Sequence, residues 1–123
     1  MECPPPIRHP AFGRELALLR RSDGGEARAI EHAITILQAT GPRLGFPHTS
    51  AVRAPSRVSL RELRPRRGRS RHRVLFAPRE GGSILLALAP EATHDPRGFR
   101  RAIGDAHDRL AEFEEEHDDD ICN

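Results

Sequence analysis

The sequence predicts an α+β domain: an N-terminal helical hairpin, a small antiparallel sheet of three to four strands, and a C-terminal helix. Three observations predict it. Two stretches with apolar residues at helical spacing lie close together before residue 41. Three short strand-like segments separated by turn residues fill positions 58–89. A third helical stretch follows an Asp–Pro pair at 95–96.

The lead, residues 1–9, carries Pro4, Pro5 and Pro6 and reads as loose chain. Phe12, Leu16 and Leu19 then fall at i, i+4, i+7, which predicts an amphipathic helix from Pro10 to Arg21, broken at Gly24–Gly25. Ile30, Ala33, Ile34 and Leu37 repeat the pattern, and Gly41–Pro42 ends it. The short gap between the two makes them an antiparallel hairpin. From Pro42 to Arg57 there is no periodicity, so this reads as a connecting segment; loops of that length in a compact domain usually serve a purpose. Strands follow at 58–64, 70–77 and 83–89, joined by a turn centred on Gly68 and another at Gly81–Gly82. The third strand is apolar on both faces, which places it centrally in the sheet. Asp95 is an N-cap acceptor with Pro96 at the first helical position. Phe99, Ile103, Ala106, Leu110 and Phe113 share one face of the helix that follows, to Glu116. Residues 1–116 then form one domain and 117–123 an acidic tail.

The formal net charge of +2 hides an asymmetry. All 20 basic residues are arginine, and ten of them lie between Arg53 and Arg79, opposed only by Glu62, so that window carries +9 and the rest of the chain −7. Seven acids fall between Glu112 and Asp120. No apolar run approaches the ~18 residues of a membrane helix. The prolines near the start exclude a signal peptide. Cys3 and Cys122 make neither a disulfide framework nor a metal cluster, and the seven histidines have no metal-ligand spacing. The expectation is a cytoplasmic protein without metal or other cofactor and without a membrane partner. No GxSxG, Walker, GxGxxG or CxxC pattern is present.

Alternation in the second strand sends Arg71, Arg73 and Leu75 to one face and His72, Val74 and Phe76 to the other. Arg64 lies near the end of the neighbouring strand, so Arg64 and Arg73 are expected to converge. Guanidinium groups bind phosphate bidentately and stay charged at any relevant pH, so such a cluster suits a phosphodiester. The window's charge would steer a polyanion and make its binding salt-dependent. The bland alternative is codon bias in a G+C-rich genome, with the arginines forming a solvated face; composition does not separate the two. The chain has no Tyr and no Trp, which argues against a base-stacking platform. His72, and His94 beside Asp95 after the third strand, are candidates for proton transfer. His107 and His117 have no partner motif. The acidic run reads as a solvated helix end, or alternatively as a segment folding back over the arginine face.

Three segments carry a family resemblance. They are Ala39–Thr40–Gly41–Pro42–Arg43–Leu44–Gly45–Phe46–Pro47, Leu60–Arg61–Glu62–Leu63–Arg64–Pro65, and Gly68 through Phe76 (GRSRHRVLF). In this order they resemble the RelE/ParE superfamily of bacterial toxins, and within it the phage-related, HigB-like branch of actinobacteria. Asp108–Arg109–Leu110 stands where that branch has a "DDRF" helix motif. The resemblance covers roughly residues 12–116. It implies a RelE-like fold and a type II toxin that cleaves mRNA on the ribosome without a metal, through attack of a ribose 2′-OH on the adjacent phosphate. It also implies a cognate antitoxin, typically a helix-turn-helix protein. Arg73 matches the family's phosphate-stabilising arginine and Arg64 a basic position on the preceding strand. Arg100 and Arg101 match a basic pair after an aromatic residue. Arg61, Arg66, Arg67, Arg69 and Arg71 are neighbouring RNA-binding candidates. The family's tyrosine is missing, and His94 is the candidate substitute. Alternatives kept open are a toxin-fold protein without nuclease activity, which binds antitoxin or nucleic acid, and a ParE-like gyrase inhibitor.

Overall fold

The computed structural model describes residues 5–53, 59–79 and 82–116. The chain opens with a two-residue strand, β1 (Ile7–Arg8), then helices α1 (Pro10–Ser22) and α2 (Gly24–Thr40). Strands β2 (Thr49–Ala51) and β3 (Arg61–Leu63), a 3₁₀ turn at Pro65–Gly68, the longer strands β4 (His72–Arg79) and β5 (Gly82–Pro90), and helix α3 (Pro96–Glu116) complete it. This is the α+β arrangement the periodicity predicts.

The sheet differs in detail. It has five strands in the order β1-β5-β4-β3-β2 and is mixed, because β1 runs parallel to β5 while every other pair is antiparallel. Part of the lead is therefore ordered: Ile7 pairs with Ile84 and Arg8 with Leu85, on the edge β4 leaves open. The connecting segment supplies β2, which pairs with β3. Within the first expected strand, 58–64, Val58 lies outside the described residues, and the ladder runs only from Arg61 to Leu63. The second strand starts at His72 rather than Ser70, because Ser70 and Arg71 still belong to the preceding turn. The two glycines do not separate the helices. Asp23 does, by accepting the Glu26 N–H at 3.1 Å as the N-cap of α2, so that Gly24 and Gly25 form its first turn.

Helices cover both faces of the sheet. Val74, Phe76 and Leu85 pack with Phe12, Leu16, Ile30 and Leu37 of the hairpin. Leu75, Ala77, Ile84 and Leu86 pack with Ala102, Ala106, Leu110 and Phe113 of α3. A bulge at Leu86, where Leu75 pairs with Ala87 and Phe76 with Leu85, puts both Leu86 and Ala87 on the α3 side. Beyond β1, the exposed edge of β5 is closed by side chains. Glu15 Oε1 accepts the Leu88 N–H at 3.0 Å, and Arg109 Nη1 donates to the Leu86 carbonyl at 2.9 Å and to Glu15. Burial disfavours the charged Arg109, but its bonds and attraction to Glu15 outweigh that and raise its pKa.

Asp95 caps α3 by accepting the Gly98 N–H at 2.9 Å. Gly98 lies so close to β5 that a Cβ there would approach Pro90 Cγ to 2.8 Å. Helix α3 therefore starts beside the end of β5. It runs back toward the β4–β5 turn, where Arg79 pairs with Glu114 at 2.7 Å. Glu112–Glu116 consequently sit at the far end of α3 from Arg64 and Arg73. For these residues this corrects the idea that the acidic run covers that arginine pair. The tail, 117–123, lies outside the described residues.

Candidate phosphate site around Glu62

Helix α3 makes most of its sheet contacts with β5 and β4, away from β3 and β2 at the other edge. There, Glu62 of β3 stands opposite Leu75 of β4. Its carboxylate collects three partners: the Ser50 hydroxyl donates to Oε1 at 3.0 Å, Arg64 Nη1 lies 3.4 Å away and Arg73 Nε 3.6 Å away. The expected convergence of Arg64 and Arg73 is thus present, through the one acid of the basic window.

The two arginines differ in what they can offer. Arg73 is buried, with 4% of its surface exposed. Its Nη1 donates to the Ser70 and His72 carbonyls at 2.8 and 3.0 Å, and its Nη2 to the Gly68 carbonyl at 3.2 Å. Burial pushes the Arg73 guanidinium below the ordinary arginine value; Glu62 opposes that and Arg64 adds to it. Arg73 is therefore a charged brace for the turn ahead of β4. Arg64 is less enclosed. Its Nε donates to the Pro47 carbonyl at 3.1 Å, its guanidinium lies 5.1 Å from the centroid of the Phe46 ring, and Nη2 has no acceptor among the described residues. Phe46 itself is 75% exposed. Gly68 completes the clamp. Its φ is +92°, and a Cβ there would collide with the Arg64 guanidinium, so glycine is required twice over.

The turn carrying the other arginines is strained. Arg66 and Arg67 are both left-handed, with φ of 55° and 56°, a conformation that costs a non-glycine residue ~1 kcal/mol or more. Arg66 is anchored to α2 by Glu26 Oε2 at 2.8 Å, and the buried Glu26 also meets His72 Nδ1 through Oε1 at 3.2 Å. Arg69 Nε donates to the Arg66 carbonyl. Arg67, Arg69 and Arg71 are exposed and have no carboxylate partner among the described residues. Arg61, on the other face of β3, donates from Nη2 to the Thr49 hydroxyl at 2.8 Å, which in turn donates to the Leu44 carbonyl.

His94 is exposed on the turn after β5. Its N–H donates to Glu91 Oε1 at 3.2 Å, and Glu91 N donates to the Arg71 carbonyl at 2.8 Å, which ties this turn to the start of β4. Hydrogen bonds from the Thr93 hydroxyl and backbone hold the Glu91 carboxyl below its usual range, and Arg73 contributes to that shift. Arg100 and Arg101 are exposed on α3, near its start. Glu26 and Glu91 were not singled out in the sequence. Glu62 was visible there as the lone acid among ten arginines.

The described residues enclose two cavities of similar size, among others. One, of about 430 Å³, lies between the end of α2 and the start of β5, and among the described residues no ionisable side chain lines it. The other, of about 410 Å³, lies between α2 and the Arg64–Arg69 segment, with His32, His48, Arg64, Arg66, Arg67 and Arg69 around it. Among the described residues no group of three His, Cys, Asp or Glu side chains could hold a metal ion, and no helix is long and apolar enough to cross a membrane.

No solved structure matches the chain. A relative from Mycobacterium tuberculosis, named "Putative toxin HigB2", is 35% identical over 82 residues, or 65% of this chain. The chain spans 41% of that protein's length. The family model described as Phage derived protein Gp49-like (DUF891) matches residues 17–90. That match runs from α1 through the whole of β5, and so takes in Glu62, Arg64, Arg73 and the strained turn between them. The chain belongs to the phage-derived Gp49-like family.

Proposed function

We propose that this chain is the toxin of a type II toxin–antitoxin system and arrests growth by cutting mRNA on the ribosome. The observation that carries this reading is the pair of guanidiniums around Glu62, near exposed arginines that have no carboxylate partner among the described residues. The similarity to a protein named as a HigB toxin supports it. Glu62 holds the place a phosphate would take between Arg64 and Arg73 in the unbound protein.

The reaction is attack of a ribose 2′-oxygen on the adjacent phosphorus. The P–O2′ bond forms and the P–O5′ bond breaks, leaving a 2′,3′-cyclic phosphate and a 5′-hydroxyl. Arg64 donates to the phosphate from Nη2, and Arg73 adds a second positive charge from behind while fixing the turn. His94, on the turn tied to the start of β4, moves the proton between the 2′-oxygen and the 5′-oxygen. Arg61, Arg66, Arg67, Arg69, Arg71, Arg100 and Arg101 supply attraction to the strand. No cofactor takes part. The partner that restrains the activity is a cognate antitoxin of helix-turn-helix type.

A second reading has an observation of its own. Arg73 commits three N–H groups to backbone carbonyls, and the chain has no tyrosine, which suits a toxin-fold protein that binds RNA or antitoxin without cutting. Induced expression separates the two. Growth arrest accompanied by cleaved mRNA, relieved by Arg64→Ala, is the expected outcome. Arrest with intact mRNA supports the binding reading, and DNA damage with intact mRNA points to gyrase.

A further inference from the structure

The cavity between α2 and the Arg64–Arg69 segment lies on the helical side of the sheet edge, apart from the Glu62 face. Its floor is apolar, from Ala33, Ile36 and Leu63. Its walls carry four arginines and two histidines, and among the described residues no carboxylate lines it. Glu26 neutralises Arg66 from behind, but Arg67 and Arg69 have no acidic partner among the described residues. The two consecutive left-handed arginines put their side chains at this rim at a cost in backbone energy, and strain of this kind concentrates at binding sites. At about 410 Å³ the volume falls in the range of small-ligand sites, ~300–1,000 Å³.

We propose that this cavity is a nucleotide-binding site, separate from the site at Glu62. A base or ribose rests on Ile36, and a phosphate is held by Arg67 and Arg69, with Arg64 forming the wall toward the Glu62 face. The phosphate belongs to a nucleotide within an RNA strand or to a free nucleotide. The site requires no cleavage chemistry and stands whether or not the chain is a nuclease.

The test is titration of the isotope-labelled full chain at low salt, followed by amide NMR. Four probes are used: 5′-AMP, inorganic phosphate, a 2′-O-methyl trinucleotide that cannot be cut, and an oligoglutamate peptide. Saturable shifts at His32, His48 and Arg66–Arg69 with 5′-AMP are expected, with weaker binding of inorganic phosphate. Trinucleotide binding tenfold or more tighter than 5′-AMP identifies an RNA strand as the source; equal binding identifies free nucleotide. His32→Glu puts a carboxylate at the cavity on an exposed helix position, where Glu is the better helix former, so the fold is retained. It should weaken 5′-AMP about tenfold or more, whereas Arg14→Glu, with the charge of Arg14 on α1 reversed, should change it less than twofold. The proposal is overturned if 5′-AMP shifts only residues around Arg73, if no probe shifts the cavity residues, or if His32→Glu binds as well as wild type. It is also overturned if oligoglutamate binds there more tightly than either nucleotide, because the cavity then takes an acidic protein segment.

Discussion

Glu62→Gln removes the only negative charge between two guanidiniums while keeping the shape of the side chain and an acceptor for the Ser50 hydroxyl. At 3.4 and 3.6 Å the two contacts are long for hydrogen bonds, and charge carries most of their value. Coulomb's law gives one such contact roughly 1 kcal/mol in bulk water and about 5 kcal/mol at an effective dielectric of 20. The side chains of Glu62 and Arg73 are 13% and 5% exposed, so the environment lies between these limits. Gln still offers a dipole, and Arg64 can turn toward water. A net loss of about 2 kcal/mol follows, in the range for a hydrogen bond to a charged group. In urea that moves the unfolding midpoint down by ~1 M. The same substitution should tighten the binding of an uncleavable RNA and steepen its salt dependence by about 0.7 in log–log slope, for one more phosphate contact. An unchanged or raised midpoint, or weaker RNA binding, would refute the idea that Glu62 stands in for a phosphate.

Other perturbations test the surrounding structure. Gly68→Ala should cost ~1–3 kcal/mol, because alanine disfavours the positive φ and its methyl group displaces the Arg64 guanidinium; an amide spectrum unchanged around Arg64 would count against the clamp. Arg109→Met should cost about 2 kcal/mol by urea unfolding, since it removes the guanidinium that donates to the Leu86 carbonyl and to Glu15, leaving Glu15 only the Leu88 N–H; a loss below ~0.5 kcal/mol would mean water replaces the guanidinium freely. Arg8, through hydrogen bonding, and Arg20 hold Glu31 below the ordinary carboxyl value of 4.5. A depressed folded pKa adds stability above 4.5 that disappears as pH falls through the folded value. Glu31→Gln should therefore be less stable than wild type at pH 7, with the gap closing in acid below 4.5; a gap independent of pH would exclude that linkage.

The helices were legible because each buries one stripe. Phe12 and Leu16, Ile30 and Leu37, and Leu110 and Phe113 are spaced for the faces they bury. Strand β4 was legible from alternation and the turn residues around Gly68, and β5 from its run of apolar residues after Gly81–Gly82. Strand β1 was not, because Ile7–Arg8 follows three prolines and gains its order only from an open edge formed by residues far along the chain. Strand β2 is three polar or small residues whose pairing depends on β3. At the site, alternation placed Arg73 on the face of Leu75 but could not reveal its burial. That depends on how the left-handed turn presents the Gly68 and Ser70 carbonyls. Glu26 looks in sequence like an ordinary first-turn acid of a helix. Its pairing with Arg66 and His72 comes from tertiary packing, which no local pattern encodes.

The central claim is that Arg64 and Arg73, gathered on Glu62, form a site that cuts RNA. Purified protein added to translating ribosomes with a defined mRNA tests it most directly, with the fragment ends identified. Wild type should leave 2′,3′-cyclic phosphate and 5′-hydroxyl ends, and Arg64→Ala, folded by circular dichroism, should cut about 100-fold more slowly or worse. Intact mRNA with the wild-type protein, or equal cutting by Arg64→Ala, would contradict the account.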